Sequence, residues 1–195
     1  MTRLHTIRDA ALSQFAEHGY EGTSLSGIAG AVGIKTPSLY AHYASKDDLF
    51  LQVVQHAFHL EERRIVHYFS SHAHETLEEV LYGFFSWIEG EYHNCSTAKF
   101  VLRMSFFPPA NLTQQVMAVV IPFYTKMERL LQSYLRQANE SEKLLRTSPV
   151  QAALAFTTMV DGTIVDLLYD EGRTYRRRVE AVWPIMWHGM SIGEE

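Results

Sequence analysis

Lys46 stands where its charge is unfavourable. It follows Ser45 in Ser-Lys-Asp-Asp, a Ser-x-x-Asp signature that starts a helix, and a cation in a first helical turn opposes the macrodipole at a cost of about 0.3–1 kcal/mol. A negative partner that the dipole also favours offsets that cost, and a DNA phosphate is such a partner. Chemistry of bond cleavage finds less support. Ten histidines are present, yet the best clusters, His72-Ala73-His74, His56 with His59, and His93 near Cys95, lack strong ligand spacing. Neither Cys-x-x-Cys nor His-Glu-x-x-His occurs. Gly27, Gly30 and Gly33 lie three apart inside a helical pattern, which is no phosphate cradle, and Gly-x-Ser-x-Gly is absent. Cys95 reads as a small buried or loop residue rather than a nucleophile. No catalytic residue, metal or cofactor is expected.

The elements that must position Lys46 are legible in TSLSGIAGAVGIKTPSLYAHYASKDDLF, from Thr23 to Phe50. Thr23 and Ser24 can cap a helix running to Val32. Leu25, Ile28, Ala29 and Val32 fall at i, i+3, i+4 and i+7 and draw one buried stripe along it. Gly33 ends that helix, and Gly33-Ile34 form the turn. Thr36 is the candidate N-cap of a second helix, with Pro37 at its first position. This helix ends near Tyr43. It is too short to bury a stripe of its own, so Leu39 and Tyr40 would anchor it while Ser38, Ala41 and His42 face outward. Such a helix suits a major groove.

At these residues the chain resembles the tetracycline-repressor (TetR) family of bacterial transcriptional regulators. The match runs from about Ile7 to Phe50 and is carried by Ala10, Ala11 and Phe15, Gly19-Tyr20, Thr23-Ser24, Ile28-Ala29, Val32-Gly33-Ile34, Leu39-Tyr40, His42-Tyr43 and Lys46. The resemblance implies that Ser24, Tyr40, Tyr43 and Lys46 touch phosphates, and that Ser26, Thr36, Pro37, Ser38 and His42 lie near base edges. Ser38 stands where many members have glycine, and Lys35 precedes the recognition helix as a further DNA-binding candidate. Packing of the small domain is the alternative for Tyr40 and Tyr43, as capping alone is for Ser24, Thr36 and Ser45.

Composition frames the rest. The 195 residues are 47% hydrophobic and 20% charged, ordinary for a globular protein able to bury a core. The longest apolar run, Val116 to Tyr124, is half of what a membrane helix needs, and Met1–His5 leads into an amphipathic helix rather than a signal peptide. One cysteine excludes an internal disulfide framework. A cytoplasmic protein with no membrane partner is expected. The net charge of −5 is unevenly shared: up to Lys46 four cations (Arg3, Arg8, Lys35, Lys46) face three anions (Asp9, Glu17, Glu21), and the remaining 13 cations and 19 anions net −6. Only the N-terminal lobe suits DNA, with Arg3 in an arm before the first helix and a shallow salt dependence.

Beyond Phe50 the pattern stays helical, so the fold class is all-α, with about nine helices: a three-helix helix-turn-helix domain over residues 1–46 joined by a long helix to a helical bundle over 47–195. The long helix runs from Ser45 to about His67 on Leu49, Phe50, Val53, Val54, Ala57, Leu60 and Ile65. Further helices fall near 75–93, 97–107, 112–138, 149–169 and 175–190, with loops at Pro108-Pro109, Asn139-Glu140-Ser141, Ser148-Pro149 and Glu171-Gly172. Ala153, Thr157, Val160, Ile164 and Leu168, with Val179, Val182, Trp183, Met186 and Trp187, offer a face for a homodimer through the last two helices, as the resemblance also implies. Two recognition helices about 34–36 Å apart would then read a palindromic operator. Phe84, Trp87, Phe100, Met104, Phe107, Phe123, Met127 and Met159 could line a cavity for a small, largely apolar or aromatic effector, with Thr163 and Asp166 (and Asp161) as polar groups and Pro122 kinking a wall. Core packing is the competing reading for each. Effector binding would shift the long helix and release a repressor from DNA. A ligand-independent regulator, an activator, and a helical sensing module without DNA binding are the alternatives.

Overall fold

The apolar repeats become nine α-helices in a computed structural model that describes residues 3–170 and 172–192. They are α1 (Arg3–Gly22), α2 (Leu25–Val32), α3 (Thr36–Tyr40), α4 (Lys46–Ser71), α5 (Leu77–Asn94), α6 (Ser96–Phe106), α7 (Thr113–Glu142), α8 (Pro149–Asp170) and α9 (Tyr175–Met190), with a 3-10 turn at Ala110–Leu112. Among the described residues extended backbone pairs at one isolated bridge, Leu145 with Ser191. Met1, Thr2 and Glu171 lie outside the described residues. Arg3 is the first residue of α1 rather than part of a preceding arm.

The chain divides into two compact units. One holds the residues up to Arg64 together with His93–Phe123; the other holds Ile65–Tyr92 and the residues from Tyr124 onward. In the first, α1 packs on α2 and α6, and α2 on α3. Its centre is Phe50, fully buried, with Phe15 edge-on at 5.0 Å and Phe100 at 5.9 Å between ring centroids. Burying a side chain of that size contributes about 1.5–3 kcal/mol, so Phe50 ties the first turn of α4 to α1 and α6. In the second unit Tyr68, Phe69, Phe84, Phe85, Phe156, Tyr175 and Trp183 are buried together with Leu135. The buried phenols are satisfied: Tyr68 donates to the Val80 carbonyl at 2.8 Å and Tyr175 to the Phe85 carbonyl at 2.9 Å.

Two expectations are revised. The Asn139-Glu140-Ser141 punctuation lies inside α7, because Ser141 donates back to the carbonyls of Gln137 and Ala138 and Asn139 Oδ1 accepts from the Leu145 amide. These polar groups finish a helix and steer its exit; the chain leaves at Lys143, with φ 52°. By length and composition α8 is also apolar enough to cross a membrane, the one such helix among the described residues. Ala152, Ala153, Phe156, Met159, Thr163, Asp166 and Leu167 are nevertheless buried along it, and it packs against α9, as a bundle helix does.

Candidate nucleic-acid interface

The helix-turn-helix assembles from local capping. Ser24 caps α2 in extended conformation, its Oγ accepting from the Gly27 amide at 3.0 Å and lying 3.0 Å from Ser26 Oγ. Beside it Thr23 is buried and donates to the carbonyls of Gln14 and Gly19. Ile28 and Ala29 are the buried residues of α2. Gly33 terminates it in the left-handed region at φ 73°, ψ 31°, with amides returned to the α2 carbonyls. Lys35, not Thr36, is the N-cap of α3, and it makes no side-chain cap bond. Thr36 is helical and half-buried, and Pro37 follows it. The Pro37 ring fixes φ at a position that has no intrahelical acceptor to offer, so α3 starts without help from a hydroxyl.

Helix α3 ends at Tyr40, three residues earlier than expected. Leu39 is its sole buried residue. Tyr40 is no anchor: it is 58% exposed. Tyr43 does that work instead, at 3% exposure, with a buried hydroxyl that makes no hydrogen bond and a pKa pushed up by burial. It therefore packs the small domain and presents no open face to a phosphate. Ser24, Ser26, Lys35, Pro37, Ser38, Tyr40 and His42 are all exposed.

The start of α4 completes the surface. Ser45 Oγ accepts from the Asp48 amide at 3.1 Å, while Asp48 Oδ2 accepts from the Ala44 amide at 2.8 Å, a capping box displaced by one residue. Bonds from Gln52 and the Ala44 amide hold the Asp48 carboxyl below the usual carboxylate range. Lys46 is already partnered, its Nζ lying 4.2 Å from the centroid of the Tyr20 ring. Tyr20 in turn donates to Asp47 and shares a side-chain hydrogen bond with Asn111, in the turn before α7. This junction joins the end of α1, the first turn of α4 and the α6–α7 connection within one unit. Gly19-Tyr20 was visible in the sequence as the exit of a helix, but nothing there marked the phenol as a hub.

The effector candidates divide between the units. Phe100, Met104 and Phe123 are buried in the first, whereas Phe107, just past the end of α6, is 49% exposed. Phe107 therefore stands outside the apolar interior it was expected to join. In the second, Phe84 and Met159 are buried and Trp87 and Met127 half-buried. Phe84 and Trp87 stack at 5.3 Å. Thr163 spends its proton on the Met159 carbonyl at 2.9 Å. Asp166 pairs with Arg178 at 3.1 Å through Oδ1, leaving Oδ2 buried without a hydrogen bond. Asp161 is exposed, although the protein around it raises its pKa by desolvation. Sequence reasoning missed Glu61, which is buried at 7% exposure while the expected Leu60 is only half-buried. The signal was the spacing Val54, Phe58, Glu61, which continues the apolar stripe of α4. Among the described residues no group of three His, Cys, Asp or Glu is placed to hold a metal ion.

A short exposed helix, set on a buried scaffold one turn after a left-handed glycine, defines a helix-turn-helix protein. The family model described as "Bacterial regulatory proteins, tetR family" matches residues 7–53. The biofilm operon icaADBC negative transcriptional regulator IcaR of Staphylococcus epidermidis is 42% identical over 52 residues, which span 27% of this chain and 28% of that regulator. The fold is similar along nearly the whole chain to a TetR-family regulator from Cytophaga hutchinsonii (TM-score 0.77, 16% identity, 97% and 95% of the two chains). It is also similar to AibR in complex with isovaleryl coenzyme A and operator DNA (TM-score 0.63, 20% identity, 95% and 98%). The chain spans 28% of the length of the curated relative it matches, and its match to the tetR-family model is confined to residues 7–53.

Proposed function

We propose that the chain is a homodimeric repressor that binds a palindromic operator and is released when a small, largely apolar or aromatic ligand binds the helical bundle over residues 47–195. The observation that carries the DNA reading is the exposed row Lys35, Pro37, Ser38, Tyr40 and His42 on and around α3, flanked by Ser24, Ser26 and Lys46. Nothing in the domain's own packing requires so many exposed donors on so short a helix. Base edges would meet Ser26, Thr36, Pro37, Ser38 and His42, and phosphates Ser24, Lys35, Tyr40 and Lys46. Tyr43 acts from behind, as the wedge beneath α3.

Homodimerisation is supported by apolar side chains left open on the last two helices. Val150, Leu154 and Tyr169 on α8 and Val182 and Ile185 on α9 are 41–76% exposed. The face differs from the expected stripe: Ala153, Val179 and Trp183 are internal, and Thr157, Val160, Ile164, Leu168, Met186 and Trp187 half-buried. An open apolar row on adjacent helices suits a four-helix interface. The effector reading draws on the fold likeness to AibR, whose complex holds both a ligand and operator DNA, and on the candidate residues of each unit.

Selection of bound duplexes from a random library by the purified chain, at two salt concentrations and beside Lys46→Ala, tests the proposal. Enrichment of a palindrome by the wild type and its weakening in the variant are expected. No enrichment at either salt refutes sequence-specific binding.

A further inference from the structure

Glu61 is a buried carboxylate whose ion pair with Arg64 is long, 3.9 Å, and whose Oε2 makes no hydrogen bond. It lies on α4 one turn beyond Ala57 and Phe58, both buried, and is itself 7% exposed. Phe58 sets its ring edge-to-face on Phe123 at 5.1 Å. Glu61 Oε2 makes no hydrogen bond. Its ion-pair partner, Arg64 Nε on the next turn, stands 3.9 Å away, outside hydrogen-bonding distance, and Arg64 directs Nη1 to the Cys95 sulfur instead. Desolvation raises the affinity of Glu61 for its proton, and Arg64 offsets this only in part.

A leucine at this position would continue the α4 stripe without the desolvation cost of a carboxylate. The acid supports no cap, network or turn through Oε2. A buried acceptor is instead what a ligand site uses to select a donor. A cationic nitrogen supplies donors and charge together. An anionic head group would meet repulsion there.

We propose that Glu61 is the polar anchor of the effector site, and that the effector is an amphiphilic amine whose nitrogen meets Glu61 Oε2 while its apolar body lies along Phe58 and Phe123. This rests on the reading of the chain as an effector-responsive regulator. Three probes with one apolar body separate the possibilities: 4-phenylbutylamine, 4-phenylbutanol and 4-phenylbutyrate, titrated calorimetrically into the full-length protein. The amine should bind at least about tenfold more tightly than the other two, as a charge-assisted bond requires. Glu61→Gln should abolish that preference, and Glu61→Leu should leave the alcohol bound as well as the amine; the melting transition of each variant reports its folding. No binding of the amine to the wild type, or an unchanged preference in folded Glu61→Gln, overturns the proposal. Operator release is read on the same samples. Glu61-dependent amine binding that leaves operator affinity unchanged supports the site and refutes its role as an effector site. Release by the amine to the same extent from wild type and Glu61→Gln overturns the site and keeps the effector reading.

Discussion

In the proposed complex with DNA, Lys46 would serve the free and the bound protein with one side chain. The ring of Tyr20 beneath its ammonium, 4.2 Å from the centroid, offsets the macrodipole penalty without enclosing the charge, so the same Nζ stays available to a phosphate. Lys46→Ala should weaken binding to all duplexes alike and reduce the salt slope by about one per protomer, measured by anisotropy titrations across salt. Loss of affinity for one sequence only would contradict a phosphate role. Tyr20→Phe keeps the ring but removes the bonds to Asp47 and Asn111; a loss of about 0.5–1.5 kcal/mol in denaturant unfolding is expected. Glu61 makes a prediction in pH. Its folded pKa is raised above the ordinary 4.5, so its contribution is fully present below 4.5 and is lost as pH rises through the folded value, by up to about 1.4 kcal/mol per unit between the two. Glu61→Gln should therefore melt increasingly above the wild type as pH rises from 4.5 to the folded pKa, and by a constant margin beyond it. A difference that does not change with pH would show that the carboxyl is not desolvated.

The turn between α2 and α3 was readable because glycine is nearly the sole residue that accepts its backbone. A Cβ at Gly33 would meet nothing within 4 Å, so Gly33→Ala tests the φ of 73° alone and should cost about 1–2 kcal/mol, with Gly33→Asn milder. Gly19, at φ 71° and ψ 180°, occupies a region that only glycine visits readily, and Gly19→Ala should cost about 1–3 kcal/mol. Thermal unfolding of the three variants measures these losses; an alanine variant at either glycine as stable as the wild type, or Gly33→Asn less stable than Gly33→Ala, would contradict the backbone account. The helices beyond α4 were equally legible, since their apolar periodicity reports which face is buried. Cap and register details were not. Thr36 looked like a cap because hydroxyls usually are, yet Pro37 pre-sets the backbone and removes the need. Asn139 and Ser141 looked like loop residues, but their side chains bond to the backbone of α7 and to its exit. Leu60 belongs to the expected stripe because hydrophobicity usually decides burial, but at this turn of α4 position decides it, and Glu61 is the buried residue.

For the whole molecule, charge is divided as a regulator of this kind requires. The residues up to Lys46 net +1 and the rest −6, so in the proposed complex attraction to DNA would be confined to one lobe, and doubling by symmetry would supply what so few cations lack. Leu154 and Ile185, 46% and 76% exposed, are the residues on which a second copy should close. Leu154→Glu and Ile185→Glu should each convert a dimer to a monomer in sedimentation while leaving helical circular dichroism intact, and should weaken operator binding. A wild type that sediments as a monomer at micromolar concentration would refute the interface. The central claim, that two copies of α3 enter successive major grooves, is tested most directly by guanine N7 methylation interference on the selected duplex. The account predicts two patches of interference on one face of the duplex, about 34–36 Å apart between centres, with Ser38→Glu, which sets a carboxylate against the DNA, abolishing both. A single patch, or interference unchanged by Ser38→Glu, would contradict it.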